Sequence, residues 1–231
     1  MPLIPKEAFQ QTLAQTEEEA LILQQELATQ VEHQNRFDEI NLIAGVDVAY
    51  IKNSDDLIAA VVVLDASTLE VVEQAVVEDK ATFPYVPGLF SFRELPSLLK
   101  AFAKLECTPD LVVCDGQGFA HPRRFGLACH LGLVLDVPAI GCGKSRLLGE
   151  FEDVADERGE RSLLVDGYEV IGHVLKTQRN VNPVYVSIGH RIDLDTASGW
   201  VLKLAPKYRL PETTRMSDQL VKRYAKGTIN L

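Results

Sequence analysis

The chain is expected to fold as an α/β protein, with a mixed sheet in which an antiparallel meander leads into parallel strands, flanked by helices. Three observations predict it. Leu42 to Ile51, Leu57 to Asp65 and Leu69 to Glu78 are apolar, β-branched runs. The links between them, Asn53-Ser54-Asp55-Asp56 and Ala66-Ser67-Thr68, are short and turn-rich, so consecutive strands should pair antiparallel. Next, Leu111-Val112-Val113-Cys114 is a short buried-strand run, followed by glycines and then by Leu127, Ala128, Leu131, Val134 and Leu135 at helical spacing. Finally, Pro138 to Cys142 reads as another parallel strand. At 231 residues, a single domain spanning 1–231 is the simplest organisation, with a core large enough to need no staples.

Taken in order, the N-terminal segment 1–35 is read as an amphipathic helix over residues 6–35, packed on the domain. Phe9, Leu13, Ala20, Leu23, Leu27 and Val31 recur at three- and four-residue steps, which suits a packing role and no chemistry. The first strand is interrupted by Asp47, with apolar neighbours on both sides. Such a residue is costly to bury unless it is paired or holds a metal, and strand alternation equally permits a solvated face.

Phe83-Pro84-Tyr85-Val86-Pro87-Gly88 is a loop stiffened by two prolines. Tyr85 and Val86 suit a wedge against stacked bases, or a plain connector with Tyr85 in the core. Ser91-Phe92-Arg93-Glu94 resembles a capping box, with Leu95, Leu98, Leu99, Phe102 and Leu105 as the stripe behind it. Glu94 is accounted for there as a cap.

After the fourth strand, Asp115 stands at the strand end, where open α/β sheets bind ligands, with His121 nearby. Pro122 is read as the first turn of the following helix. Lys144 closes the next strand in Gly143-Lys144-Ser145. A phosphate-binding loop of the G-x-x-x-x-G-K-[ST] type fails, because the position six before Lys144 is Pro138. Residues 150–160 form a solvated acidic loop. Ser162 to Val165, Glu169 to Leu175 and Val184 to Ile188 are further strands; Asp193 to Lys203 and Glu212 to Lys226 are helices.

Composition narrows the function classes. No stretch approaches the roughly 20 apolar residues of a membrane span, and Met1 to Lys6 opens no signal peptide. Cys107, Cys114, Cys129 and Cys142 lack metal-ligand spacing and read as reduced core residues of a cytoplasmic protein. The net charge of −10 argues against a nucleic-acid partner only until it is mapped. Residues 1–40 carry eight acids against two bases, and residues 150–160 carry six against one. Residues 200–231 set Lys203, Lys207, Arg209, Arg215, Lys222, Arg223 and Lys226 against Glu212 and Asp218. That face suits phosphate contacts, which depend on local charge.

Asp47, Glu94 and Asp115 stand out together. A right-handed crossover places the fourth strand beside the first, bringing Asp47 to Asp115. Clustered carboxylates repel unless protonated or neutralised, and such hard oxygen ligands suit Mg²⁺ or Mn²⁺.

The motifs VDVAY, PYVPG with FRE, DGQG-x-AHPRRFGLACHLG and GCGKSRL, in this order and spacing, resemble the endonuclease V family of deoxyinosine-specific nucleases. The resemblance runs from Leu42 to Leu148, with a weaker tail at Pro211 to Asp218. It implies a ribonuclease-H-like fold and a DNA-repair endonuclease that cuts the second phosphodiester 3′ to deoxyinosine, with Mg²⁺ (or Mn²⁺) as cofactor. Asp47, Glu94 and Asp115 match the metal-site carboxylates, which lifts Glu94 above its capping reading. Asp218, where the family carries Asp or His, is the fourth candidate.

The same resemblance makes Pro84, Tyr85, Val86 and Pro87 the strand-separating wedge, and aligns Gly88, Gly116 and Leu147 with positions near the flipped base. Lys144 and His121 match polar residues near the scissile phosphate. Phe90 departs from the aliphatic residue expected at its position. The implied partner is damaged DNA containing deoxyinosine, with inosine RNA as the alternative, and the protein is expected to be a monomer that engages no membrane. A catalytically silent nucleic-acid-binding module of the same fold is the competing class.

Overall fold

The computed structural model describes residues 14–227. Eight strands form one mixed sheet in the order β3-β2-β1-β4-β5-β8-β7-β6. They are β1 (Leu42–Tyr50), β2 (Asp56–Asp65), β3 (Val71–Lys80), β4 (Leu111–Cys114), β5 (Ala139–Gly143), β6 (Arg161–Asp166), β7 (Glu169–Leu175) and β8 (Val184–His190). The helices are α1 (Glu17–Ala28), α2 (Phe90–Phe102), α3 (Leu127–Leu135), α4 (Leu194–Leu204) and α5 (Glu212–Ala225). The expected meander is present: β1, β2 and β3 pair antiparallel. β4 then lies parallel to β1 and to β5. This is the ribonuclease-H-like mixed sheet, with helices on both faces.

The core divides along those faces. Leu95, Leu98 and Phe102 of α2, with Leu127 and Leu131 of α3, pack on Ala44, Val46, Ala59 and Val61. On the opposite face, α4 buries Ala197, Val201 and Leu204 against Val113, Ile140 and Val186, while Leu220 and Val221 of α5 lie on Ile58, Ala60 and Val62. Gly45 is required by that second packing, because any side chain there would collide with the Thr213 backbone at the start of α5. This close approach brings Asp218, one turn further along α5, toward the end of β1.

Three sequence expectations need correction. The N-terminal helix covers Glu17–Ala28 among the described residues, not 6–35; Phe9 and Leu13 lie outside the described residues. A capping box between Thr16 and Glu19 starts it. Past Thr29 the backbone is taken up by tertiary pairing instead, since Arg191 donates to the Glu32 carbonyl and Arg36 to the Arg191 carbonyl. Val31 is therefore not on a helical stripe.

The capping box at Ser91 and Glu94 does not form. α2 already begins at Phe90, after Gly88 turns the chain with φ of +80°. Ser91 instead hydrogen-bonds His130 Nδ1 at 3.0 Å, and Glu94 faces the strands. Pro122, finally, lies in a turn closed by the Arg124 amide on the His121 carbonyl (2.8 Å), and α3 starts only at Leu127. The four cysteines are free, as expected. No helix among the described residues is long and apolar enough to cross a membrane.

Candidate active site

Strand register assembles the first part of the site. β1 and β4 run parallel with Val46 opposite Cys114, so Asp47 in β1 and Asp115, the first residue past β4, come next after that pair in register. Asp47, Glu94 and Asp115 line one cleft of about 230 Å³, together with Tyr50, Phe90 and Leu127. Asp218 joins from α5, close enough for its charge to act on Asp47. The structure thus sets three of the four expected carboxylates around one cleft, with the fourth, Asp218, near enough for its charge to act on Asp47.

Their electrostatics follow from burial and crowding. Asp47 has its pKa pushed up to about 7, first by burial and then by the charges of Asp115 and Asp218, with Lys144 opposing. Glu94, only 5% exposed, is pushed up to about 8, first by burial. The Tyr50 hydroxyl donates to Glu94 Oε1 at 3.1 Å and pulls the other way, while Asp47 and Asp115 add to the rise. Tyr50 is in turn covered by the Arg93 guanidinium, 5.2 Å from its ring centre.

Lys144 pairs with Asp115 Oδ2. Burial works against its charge, but the Asp115 hydrogen bond and the charges of Asp115, Asp47 and Asp218 outweigh it, so its pKa rises and it stays cationic. Asp218 Oδ2 accepts from Lys222 at 2.7 Å.

Among the described residues, no three Asp, Glu, His or Cys side chains converge closely enough to hold a metal ion in this arrangement. Two of the candidates are drawn to lysines and Glu94 to Tyr50. The donor set nevertheless fits a hard cation. It is all oxygen, and two of its members are held far above their ordinary pKa by burial and neighbouring negative charge. Charge of opposite sign at that point would relieve both.

A second concavity, about 290 Å³, shares Asp115, Phe90 and Leu127 with the cleft. Its lining includes Tyr85, Pro87, Gly88, Gly116, His121 and Leu147. Tyr85 is 70% exposed, which removes the core reading, and it meets Phe90 edge-on at 6.2 Å. Leu147 is 56% exposed on the facing loop. Phe90, the residue out of pattern, therefore forms a shelf between pocket and cleft. Val86 and Pro84 do not line the pocket: Val86 packs toward α1 with Phe83, Leu89 and Phe92.

His121 is buried in the pocket wall, and burial and then the neighbouring Arg123 charge lower its pKa to about 4, leaving it neutral at pH 7. It lies in the wall of this pocket, which Asp115 also lines.

Sequence reasoning missed Tyr50, Gln24 and Arg123. Tyr50 ends the VDVAY motif and carried a usable signal, a lone aromatic closing an otherwise aliphatic strand. Gln24 carried none, because nothing in a glutamine-rich helix marks one glutamine.

A family model described as endonuclease V matches residues 25–219. An endonuclease V of Nostoc punctiforme is 47% identical over 210 residues, covering 90% of this chain and 95% of the relative. The crystal structure of an endonuclease V from Streptomyces avermitilis superposes with a TM-score of 0.89 at 47% identity, covering 93% of this chain and 95% of that one. An endonuclease V of Ciona intestinalis, in complex with a 24mer DNA containing an inosine followed by a ribo-adenosine, superposes with a TM-score of 0.77 at 26% identity, covering 92% and 98%.

Proposed function

The chain belongs to the endonuclease V family and is a nuclease, and from that premise we propose that it incises DNA at deoxyinosine, hydrolysing the second phosphodiester 3′ to the lesion. The observation that carries this reading is the shared wall. One concavity with room for a purine base and one cleft of crowded carboxylates both include Asp115. A base held in the first would place its own strand's phosphates beside the second.

Asp47, Glu94, Asp115 and Asp218 are the residues that would hold a divalent cation, Mg²⁺ with Mn²⁺ as substitute. Such a cation supplies Lewis-acid polarisation of the phosphate and a water more acidic than bulk. The protein's own groups do the rest. Tyr85 enters the stack as the base leaves it, a contact that offsets part of an unstacking cost of a few kcal/mol. Deoxyinosine is favoured because it pairs poorly, and because hypoxanthine presents O6 as acceptor and N1–H as donor to the backbone groups around Gly88 and Gly116.

Neutral His121 can donate from one ring nitrogen while the other accepts from the Arg123 amide at 3.2 Å. Lys144 Nζ stabilises the charge that grows on the phosphate oxygens. Water oxygen bonds to phosphorus as the bond to the 3′ oxygen breaks; that oxygen takes a proton, leaving a 3′-hydroxyl and a 5′-phosphate. We further read the protein as a cytoplasmic monomer.

A single assay tests this: the protein, an oligonucleotide with one deoxyinosine, and Mg²⁺, Mn²⁺ or EDTA. One nick at the second bond 3′ to inosine, lost with EDTA, is expected. No cleavage with either metal, or cleavage indifferent to inosine, overturns the reading. The ribo-adenosine in the Ciona complex makes inosine RNA the natural second arm, and faster cleavage there reassigns the substrate to RNA.

A further inference from the structure

The N-terminal helix reaches the pocket through one side chain. Gln24 on α1 is 1% exposed, and its amide nitrogen donates to the Gly88 carbonyl at 2.9 Å and the Phe125 carbonyl at 2.8 Å. Its amide oxygen accepts from Arg123 Nε. Arg123 Nη2 donates to the same Gly88 carbonyl at 2.7 Å. Both donors and the acceptor of one buried amide are thus used, and buried networks satisfied in this way fix a single geometry.

The two carbonyls so held matter for the site. Gly88, in the left-handed region, joins the Pro84–Gly88 loop to the start of α2, and Gly88 and Phe125 both line the base pocket. A second, independent contact acts on the same loop: Ala20, Leu21 and Leu23 of α1 pack against Phe83, Leu89, Phe92 and Val86. Arg123 points into the protein here, so its guanidinium acts on the loop.

We propose that Gln24 is a positioning residue for lesion recognition. Together with Arg123 it pins the Gly88 and Phe125 carbonyls, and so sets the gap through which a flipped base enters. This rests on the reading of the pocket as the base site.

Two variants test it. Gln24→Leu removes all three hydrogen bonds. Gln24→Glu keeps the size and gives Arg123 an ionic partner, but a carboxylate cannot donate to either carbonyl, so it separates positioning from folding. Steady-state cleavage of an inosine-containing duplex and its inosine-free match is compared with thermal unfolding. For both variants KM should rise about tenfold, the scale of one or two lost buried hydrogen bonds. kcat should stay within about twofold and the cut bond should not move. Gln24→Glu should show this with a nearly parental Tm, and preference for inosine should fall with the rise in KM.

Amide hydrogen exchange across residues 84–90 of the free protein should quicken in Gln24→Glu while the sheet exchanges as in the parent. Parental KM and preference in both variants overturn the proposal, as does activity that falls only with the folded fraction. A parent that cuts without regard to inosine overturns the functional reading instead. The exchange experiment then still decides the clamp: parental exchange in residues 84–90 overturns it.

Discussion

The carboxylate cleft and the base pocket meet at Asp115, Phe90 and Leu127, yet they are held in shape by different forces. In the cleft, Asp47 is fixed by strand pairing and Asp115 by its place just past β4, and what Asp47 and Glu94 face is burial among like charges. Burial and like charge push Asp47 up to about 7 and Glu94 to about 8. In the pocket, the walls are loops, and their backbone is held from behind by side chains such as Gln24 and Arg123. The cleft is a place of stored electrostatic tension on a rigid frame. The pocket is a frame of hydrogen-bonded backbone around space. The first suits a site that gains by taking up a cation, and the second suits one that selects by shape.

If the halves differ in this way, substitutions should sort by side. The largest effect is expected from Asp115→Asn, the residue both halves share. It should abolish Mg²⁺-dependent cleavage while the fold is kept, with Tm of the metal-free protein close to the parent because one repelling charge has gone. Near-parental activity would remove Asp115 from the metal site, and a large fall in Tm would make its role structural.

Lys144→Ala comes next. Losing one charge contact to the developing phosphate should slow turnover by about 10²-fold or more. Its effect should fall on kcat rather than on preference for inosine, and a change confined to KM would move Lys144 out of the chemistry.

Tyr85→Ala probes the other half. Binding to an inosine-containing duplex should weaken by about 1–3 kcal/mol, the scale of one base–aromatic contact. The loss should be smaller on a single strand, and saturating enzyme should still cut the same bond. If the variant binds duplex and single strand like the parent, the wedge role is wrong.

The smallest effect is one of stability. Asp47 rises from an ordinary 3.8 to about 7 in the folded state. The folded protein therefore holds a proton that the unfolded chain releases, so stability present below about pH 4 is lost as pH rises to about 7. In EDTA, Asp47→Asn should match the parent near pH 4 and exceed it above pH 7, by a fraction of the roughly 4 kcal/mol that a rise from 3.8 to about 7 represents. Denaturant unfolding across that range checks it. A parental curve flat with pH would mean that the crowding of the cleft carries no strain.

Much of the cleft was legible from the chain alone. Asp47 stood in an aliphatic strand, Asp115 at the end of another, and a right-handed crossover sufficed to make those strands neighbours. Glu94 was less so. Ser91 and Glu94 have capping-box spacing, and only the earlier start of α2 after Gly88 frees Glu94 to face Asp47 and Asp115. Phe90 looked like a mismatch to a pattern and proved to be the shelf between the two concavities.

The motif resemblance, not the local pattern, singled out Glu94 and Asp218; the sequence by itself determined the meander, the parallel strand ending just before Asp115, the helices on both sides and the placing of Asp47 and Asp115. These depend on side-chain periodicity and strand ends, which are local. Tertiary structure alone decided how far α1 runs, because residues 32–36 pair with Arg191 rather than with their own helix. It alone decided that Tyr85 is exposed, that Val86 turns inward, and that His121 is neutral in a pocket wall. It alone revealed Gln24, whose partners lie 64 and 101 residues away. A hydrogen bond across such a separation leaves no periodicity in the chain, since its geometry exists only once the helices and loops have packed.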